Sequence, residues 1–321
     1  MTETMNNTAN TTVRNIAVVG TGVIGASWTA DFLARGFTVV AADPADGAEE
    51  RLRRWVDDFW PALTTIGLAE NASKENLTFT SSIPDAVRDA DFIQENGPER
   101  LEVKKAILEQ IESAAQPEAI IATSSSGLLI TEVQKGMRHP ERMVLGHPFN
   151  PPHLIPLVEV LGGETTSAET VDQALAFYAE IGKKPIRINR EVPGHVANRL
   201  QTALWTEMFH LVSAGVASVE DIDTAISYGP GLRWALLGPF LNLHASGGDA
   251  GITHVLEHLG PAMRGWSKDL GDYPETEDYI PVMAEGVEQE LDGFDWAETL
   301  NQRDELLLQL LAAKNGKPQI P

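Results

Sequence analysis

His147 and Glu159 are the two residues in this 321-residue chain whose types and spacing best suit moving a proton. His147 lies in Gly146-His147-Pro148-Phe149-Asn150-Pro151, directly after a short apolar run. Imidazole titrates closest to neutrality of the side chains, so it can take a proton from a substrate hydroxyl. Glu159 interrupts the apolar run Leu157-Val158-Glu159-Val160. A carboxylate there is costly unless it is paired. Pairing with the imidazole would hold the tautomer and raise its basicity. The same spacing also fits a satisfied core histidine and an unrelated glutamate on an edge strand.

A second constellation binds rather than reacts. Gly20-Thr21-Gly22-Val23-Ile24-Gly25 is a G-x-G-x-x-G that follows a strand-like run, Ile16–Val19, and opens a helical pattern reaching Arg35. In that context Gly20 permits a tight turn, Gly22 lets a pyrophosphate approach the backbone, and Gly25 lets the helix pack close to the sheet. The helix N-terminus offers N–H groups and the positive end of a dipole. Asp43 ends the next strand, where an acid would bond the ribose hydroxyls, and Pro44 follows it in place of a base for a 2′-phosphate. The pattern favours NAD over NADP, although the fingerprint alone also admits FAD.

The elements that must position these residues alternate. Strand-like runs fall at 37–42, 77–80, 92–94, 119–123, 143–146 and 157–161, with helical segments between several of them, including 47–66. That alternation predicts a parallel sheet covered on both faces. Glu191-Val192-Pro193-Gly194 interrupts the pattern, and beyond it helical periodicity dominates over 195–228 and 236–316. The expected fold is α/β: a Rossmann-type NAD-binding domain over 14–192, then an all-helical domain over 193–321. Residues 1–13 are Asn/Thr-rich, lack the basic and apolar regions of a signal peptide, and are expected to form a disordered leader of a cytoplasmic protein.

Composition narrows the chemistry. Hydrophobic residues make up 43% and charged residues 22%, which excludes disorder over most of the chain. Cysteine is absent, which removes disulfides, thiolate catalysis and Cys-ligated metals. No apolar stretch has membrane-spanning length, so no membrane partner is expected. The net charge of −22 argues against nucleic acid as a partner and suits a cationic substrate better than a polyphosphate one. His254-Val255-Leu256-Glu257-His258 matches an H-x-x-E-H pattern. It is too short to outweigh the other motifs, and no metal is expected.

Five segments, in order and spacing, resemble the L-3-hydroxyacyl-CoA dehydrogenase superfamily from about residue 15 to the end. They are the glycine turn, Gln94-Glu95-Asn96-Gly97-Pro98-Glu99 with Lys104, Thr123-Ser124-Ser125-Ser126-Gly127-Leu128, the His147 segment with Glu159, and Pro193-Gly194-His195-Val196-Ala197-Asn198-Arg199. The resemblance implies that His147 is the general base and Glu159 its orienting acid. It implies that Ser126, rather than Ser124 or Ser125, contacts the substrate oxygen, and that Asn198 places substrate and catalytic groups. Glu99 and Lys104 match positions that contact NAD. The helical domain is implied to form a homodimer.

The chain departs from the family's acyl-CoA branch. His147-Pro148-Phe149-Asn150-Pro151 replaces His-Phe-Phe-Asn-Pro, and Ser124 replaces an asparagine. The block Gly231–Phe240, with Gly247-Gly248-Asp249-Ala250-Gly251, is more similar to the branch acting on L-carnitine, and the L-gulonate branch is a poorer match. A β-hydroxy acid bearing trimethylammonium needs aromatic faces for its cation and a donor for its carboxylate. Trp234 and Phe240 are candidates for the first, Arg233 or Arg199 for the second, and Asn150 is a further candidate contact. Core or interface packing of Trp234 and Phe240 is the alternative.

Overall fold

The computed structural model describes residues 13–317, 319 and 320. The leader expected over 1–13 lies outside the described residues except for Val13, which packs against the first unit's core. Contacts divide the chain into two compact units, 1–198 and 199–321. The division falls just beyond Pro193-Gly194 because residues 196–198 hydrogen-bond back into the first unit.

The first unit contains strands β1 (Asn15–Val19), β2 (Thr38–Ala42), β3 (Leu77–Thr80), β4 (Phe92–Glu95), β5 (Ile120–Thr123), β6 (Met143–Pro148), β7 (Leu157–Gly162) and β8 (Lys184–Arg187). Its helices are α1 (Val23–Ala34), α2 (Ala48–Ile66), α3 (Ile83–Val87), α4 (Leu101–Glu112), α5 (Ile130–Val133) and α6 (Ala168–Glu180). The strands form one sheet in the order β3-β2-β1-β4-β5-β6-β7-β8. The first six strands are parallel, as in a doubly wound dinucleotide fold.

The expectation of a parallel sheet is corrected at β7. This strand runs antiparallel to β6, and β8 runs parallel to β7. The connection over residues 149–156 is shorter than the roughly dozen residues a parallel crossover needs, so the chain can only turn back.

Alternating strand residues feed two apolar layers. Ile16 and Val18 face the cluster that includes Trp28, Phe32, Leu52, Phe177 and Tyr178. Ala17 and Val19 face the cluster that includes Val87, Leu108, Ile111 and Val133. Every residue of α1 from Gly25 to Ala34 is buried, because the helix is covered on all sides. Trp28 stacks on Phe32 at 5.2 Å, and Phe92 meets Phe177 at 4.1 Å.

One buried charge sits within that helix. Asp31 pairs with Lys183 at 2.7 Å and lies 3.5 Å from Arg35. The Lys183 ammonium also donates to the carbonyl of Pro152 and lies over the Trp28 ring. Ser27 Oγ accepts from the His153 amide at 2.8 Å and bonds the same residue's Nδ1. The turn following β6 is thereby pinned to the back of α1.

The second unit is helical: α7 (Ala197–Ser213), which begins in the first unit, then α8 (Val219–Ser227), α9 (Pro230–Ser246), α10 (Gly251–His258), α11 (Gly260–Trp266), α12 (Tyr279–Glu290) and α13 (Trp296–Asn315). A Ser218/Asp221 capping box starts α8. Gly238, at φ 74°, breaks α9 ahead of Pro239. Among the described residues no helix is long and apolar enough to cross a membrane.

The Asp31–Lys183 pair generates a stability prediction. Lys183→Met leaves the Asp31 carboxylate buried with only the more distant Arg35. The variant should lose about 3 kcal/mol in urea unfolding, at the low end for a broken buried pair. An unfolding midpoint equal to that of the unsubstituted protein would show that the pair contributes nothing.

Candidate active site

The parallel strands β1, β2, β4, β5 and β6 end on one edge of the sheet, where ligands of such sheets bind. Gly20 follows β1 at φ 86°, a left-handed conformation that favours glycine. A Cβ on Gly25 would meet the carbonyl oxygen of Gly20 at 1.9 Å, so α1 can approach the turn only without one. A Cβ on Gly22 would meet nothing within 4 Å, which leaves the backbone open to a phosphate. The N-terminus of α1 has neither a side-chain cap nor an acidic residue in its first turn, so its N–H groups are available to an anion.

Asp43 follows β2. Its Oδ2 accepts from the Thr21 amide at 2.8 Å and the Thr21 hydroxyl at 3.1 Å, and its Oδ1 accepts from the Ala45 amide at 2.9 Å. These bonds lock the turn and leave lone pairs for a ribose. A cavity of about 660 Å³ adjoins it, lined in part by Pro44, Ala45, Phe79 and Ser81. Thr21 is buried, Val23 is exposed and Ile24 packs on the core. The residues fit a dinucleotide with an unmodified ribose.

His147 was expected just after a strand. It lies within β6, which runs two residues further because its backbone pairs with β7. His147 stands directly opposite Glu159, and Nδ1 meets Oε2 at 2.8 Å. Nδ1 must carry the proton in that bond, so Nε2 is the basic nitrogen. Glu159 is wholly buried, and its Oε1 accepts from the amides of Val196 and Ala197, each at 2.9 Å. Burial by itself would raise the Glu159 pKa. The bonds from His147, Ala197 and Val196, with the imidazole charge, outweigh burial and hold the carboxyl below its ordinary value.

The three serines separate by environment. Ser124 Oγ donates to Asn96 at 2.7 Å and accepts from Gln94 at 2.9 Å. Ser125 Oγ is buried and donates to Glu99 at 2.7 Å. Ser126 is exposed. Glu99 Oε1 also accepts from the amides of Ser126, Gly127 and Leu128, so it caps this turn. Desolvation pushes Glu99 up, but the bonds from Ser125, Gly127 and Leu128 and the Lys104 charge bring it below its ordinary value.

Lys104 is buried, and its ammonium donates to both oxygens of Glu95 and to the carbonyl of Gly97. A direct contact with a dinucleotide would require giving up one of these bonds. Asn198 Nδ2 donates to the Ser126 carbonyl at 3.3 Å, and Asn150 is exposed.

In the second unit, Arg233 and Trp234 lie before the break in α9 and Phe240 after it. Trp234 is 40% exposed and Phe240 77% exposed, and no ring contact joins them among the described residues. Arg199 lies on α7. The His254 and His258 rings meet tilted, with centroids 4.0 Å apart, and His258 Nδ1 bonds the His254 carbonyl. No group of three or more potential metal ligands occurs among the described residues.

Three residues of the quoted motifs take places that spacing did not assign. Glu95 ends β4 and bonds Lys104, the Gly97 amide and the Thr123 hydroxyl. Ser125 ties Glu99 to its turn. His195 is buried, with its ring centroid 5.3 Å from that of His147. An acid closing an apolar strand nine residues before a lysine was a visible signal for the first pair. Nothing local signals His195.

The 3-hydroxyacyl-CoA dehydrogenase NAD binding domain matches residues 15–192, and the 3-hydroxyacyl-CoA dehydrogenase C-terminal domain matches residues 194–277. An L-carnitine dehydrogenase of Bacillus cereus is 47% identical over 311 residues, covering 96% of this chain and 95% of its own length. An L-carnitine dehydrogenase of Streptomyces coelicolor is 48% identical over 302 residues, covering 94% and 95%. Among solved structures, the NAD+-dependent dismutase 5-formyl-3-hydroxy-2-methylpyridine 4-carboxylic acid 5-dehydrogenase superposes with a TM-score of 0.82 at 30% identity, covering 95% of this chain and 99% of that one. With a glycine turn built for a dinucleotide and both halves of the chain matched, the protein belongs to the 3-hydroxyacyl-CoA dehydrogenase family of NAD-dependent oxidoreductases.

Proposed function

We propose that the protein oxidises the 3-hydroxyl of L-carnitine to 3-dehydrocarnitine. The observation that carries the reaction type is the buried His147–Glu159 pair on the ligand-binding edge of the sheet. L-carnitine is favoured as substrate by the near full-length similarity to enzymes of that name. NAD, when bound at the Gly20–Gly25 turn and Asp43, supplies the hydride acceptor.

His147 Nε2 takes the hydroxyl proton, and Glu159 stabilises the imidazolium that forms. Because Glu159 is held below its ordinary value, it remains a carboxylate through that step. The Ser126 hydroxyl and Asn198 steady the substrate oxygen.

For the substrate itself, Trp234 packs the trimethylammonium, with Phe240 as a second aromatic, while Arg233 or Arg199 holds the carboxylate. Asn150 is a further contact. The helical unit exposes Leu232, Leu236, Leu241, Trp266 and Leu306. That apolar surface suits a second copy of the chain, and the protein is proposed to be a homodimer. Light scattering should give about twice the 34.8 kDa chain mass; a monomer at assay concentration would remove this assembly.

One assay tests the reaction and two of its residues. NADH absorbance is followed with L-carnitine, D-carnitine, L-gulonate and 3-hydroxybutyryl-CoA. L-carnitine should give the highest kcat/KM, and preference for either of the last two would reassign the substrate. His147→Gln should lower kcat by about a hundredfold or more while NADH binding is kept. Trp234→Ala should raise the L-carnitine KM by about tenfold, as expected for a lost cation–π contact. An unchanged KM removes Trp234 from the site.

A further inference from the structure

The strap that carries the Val196 and Ala197 amides to Glu159 has an unusual backbone. The amide of His195 closes a turn on the carbonyl of Val192 at 3.1 Å. Pro193 and Gly194 occupy its centre, and Gly194 takes φ 73°. Pro followed by Gly suits such a turn, since Pro presets its φ and Gly accepts a positive one. His195 then also takes φ 54°, the sole non-glycine residue at positive φ among those described. This conformation disfavours side chains and persists only where the surroundings hold it. Its consequence is immediate: the next two amides converge on one oxygen, Glu159 Oε1.

The imidazole ties this turn to Ser125. It is 1% exposed, and its Nε2 donates to the Ser125 carbonyl at 3.3 Å. Nδ1 is then the bare nitrogen, and it has no hydrogen-bond partner among the described residues. A buried, unsatisfied acceptor is a cost that a phenyl ring would avoid. What the imidazole supplies that a phenyl ring would not is its Nε2 donor to Ser125, and it lies against His147.

Burial first, and then the His147 charge, hold His195 below the ordinary histidine value; Glu159, the Ser125 carbonyl and Glu99 pull the other way.

We propose that His195 is a positioning residue for the proton-transfer pair. Its ring, anchored on Ser125, keeps its left-handed backbone in place, so that the Val196 and Ala197 amides fix Glu159 opposite His147. This rests on the reading of His147 as the base, but its test does not require the substrate to be L-carnitine.

Two variants separate the anchor from the backbone. His195→Gly accepts the positive φ without strain and removes the ring. His195→Gln carries the same positive φ as histidine and keeps an N–H donor at the reach of Nε2 toward Ser125. Neither adds bulk to the core. The direct readout is the downfield proton resonance of His147 Nδ1–H in the NAD complex, assigned by its absence in His147→Gln.

The expected result is that His195→Gly loses or shifts that resonance and lowers kcat on the order of a hundredfold, with NADH binding kept. His195→Gln should retain the resonance and most of the turnover. The proposal is overturned if His195→Gly matches the unsubstituted protein, if it loses turnover with the resonance unmoved, or if His195→Gln falls as far as His195→Gly. Should none of the four substrates be oxidised, the resonance comparison alone decides.

Discussion

Glu159 is a carboxylate placed in the middle of an apolar strand, and its burial constrains much of the site around it. An isolated charge there would neutralise or destabilise the fold. It is tolerated because three donors converge on it, the His147 imidazole and two backbone amides from the far end of the first unit. The imidazole and the pair of amides come from different parts of the chain's path. The pairing of β6 with β7 must place residue 147 opposite residue 159, since a slip of one residue would turn Glu159 to the other face of the sheet. The strap after Pro193 must bend back, and the unit therefore extends to residue 198.

The reversal of β7 follows from the same constraint. A parallel crossover would separate residues 147 and 159 by a helix's worth of chain. The short turn after β6 brings them side by side and is itself fastened to α1 through Lys183, Asp31, Ser27 and His153. The helix whose N-terminus is open to phosphates thus also braces the loop that leaves the catalytic strand. The −22 charge does not prevent binding of an anionic dinucleotide, because the turn offers backbone N–H groups at a helix end with no acid in its first turn.

Much of the cofactor turn was legible in the sequence because its physics is local. Gly20 needs a positive φ, Gly25 needs the absence of a Cβ, and both requirements are met within a few residues of each other. The buried acid at 159 was legible too, as a polar interruption of an apolar run. The antiparallel reversal was not, since apolar runs alternating with helices carry no strand direction, which is set by the pairing of β6 with β7. The end of β6 was not legible either, because His147 and Pro148 belong to the strand through their partners in β7 and not through their own propensity. Trp234 and Phe240 are close in sequence but lie on either side of the break at Gly238, and no ring contact joins them among the described residues.

Residue types and spacing alone determined the α/β class, the dinucleotide turn, the candidate base and its candidate acid. Each rests on glycine conformation, strand periodicity or the cost of burying a charge, which act over short stretches of chain. Only the tertiary structure decided that the base and acid share a register, that Ser124 and Ser125 are committed while Ser126 is exposed, that Lys104 is buried on Glu95, and that His195 stands behind His147. Those outcomes depend on strand pairing and on hydrogen bonds between residues far apart in sequence, and local propensity carries no information about either.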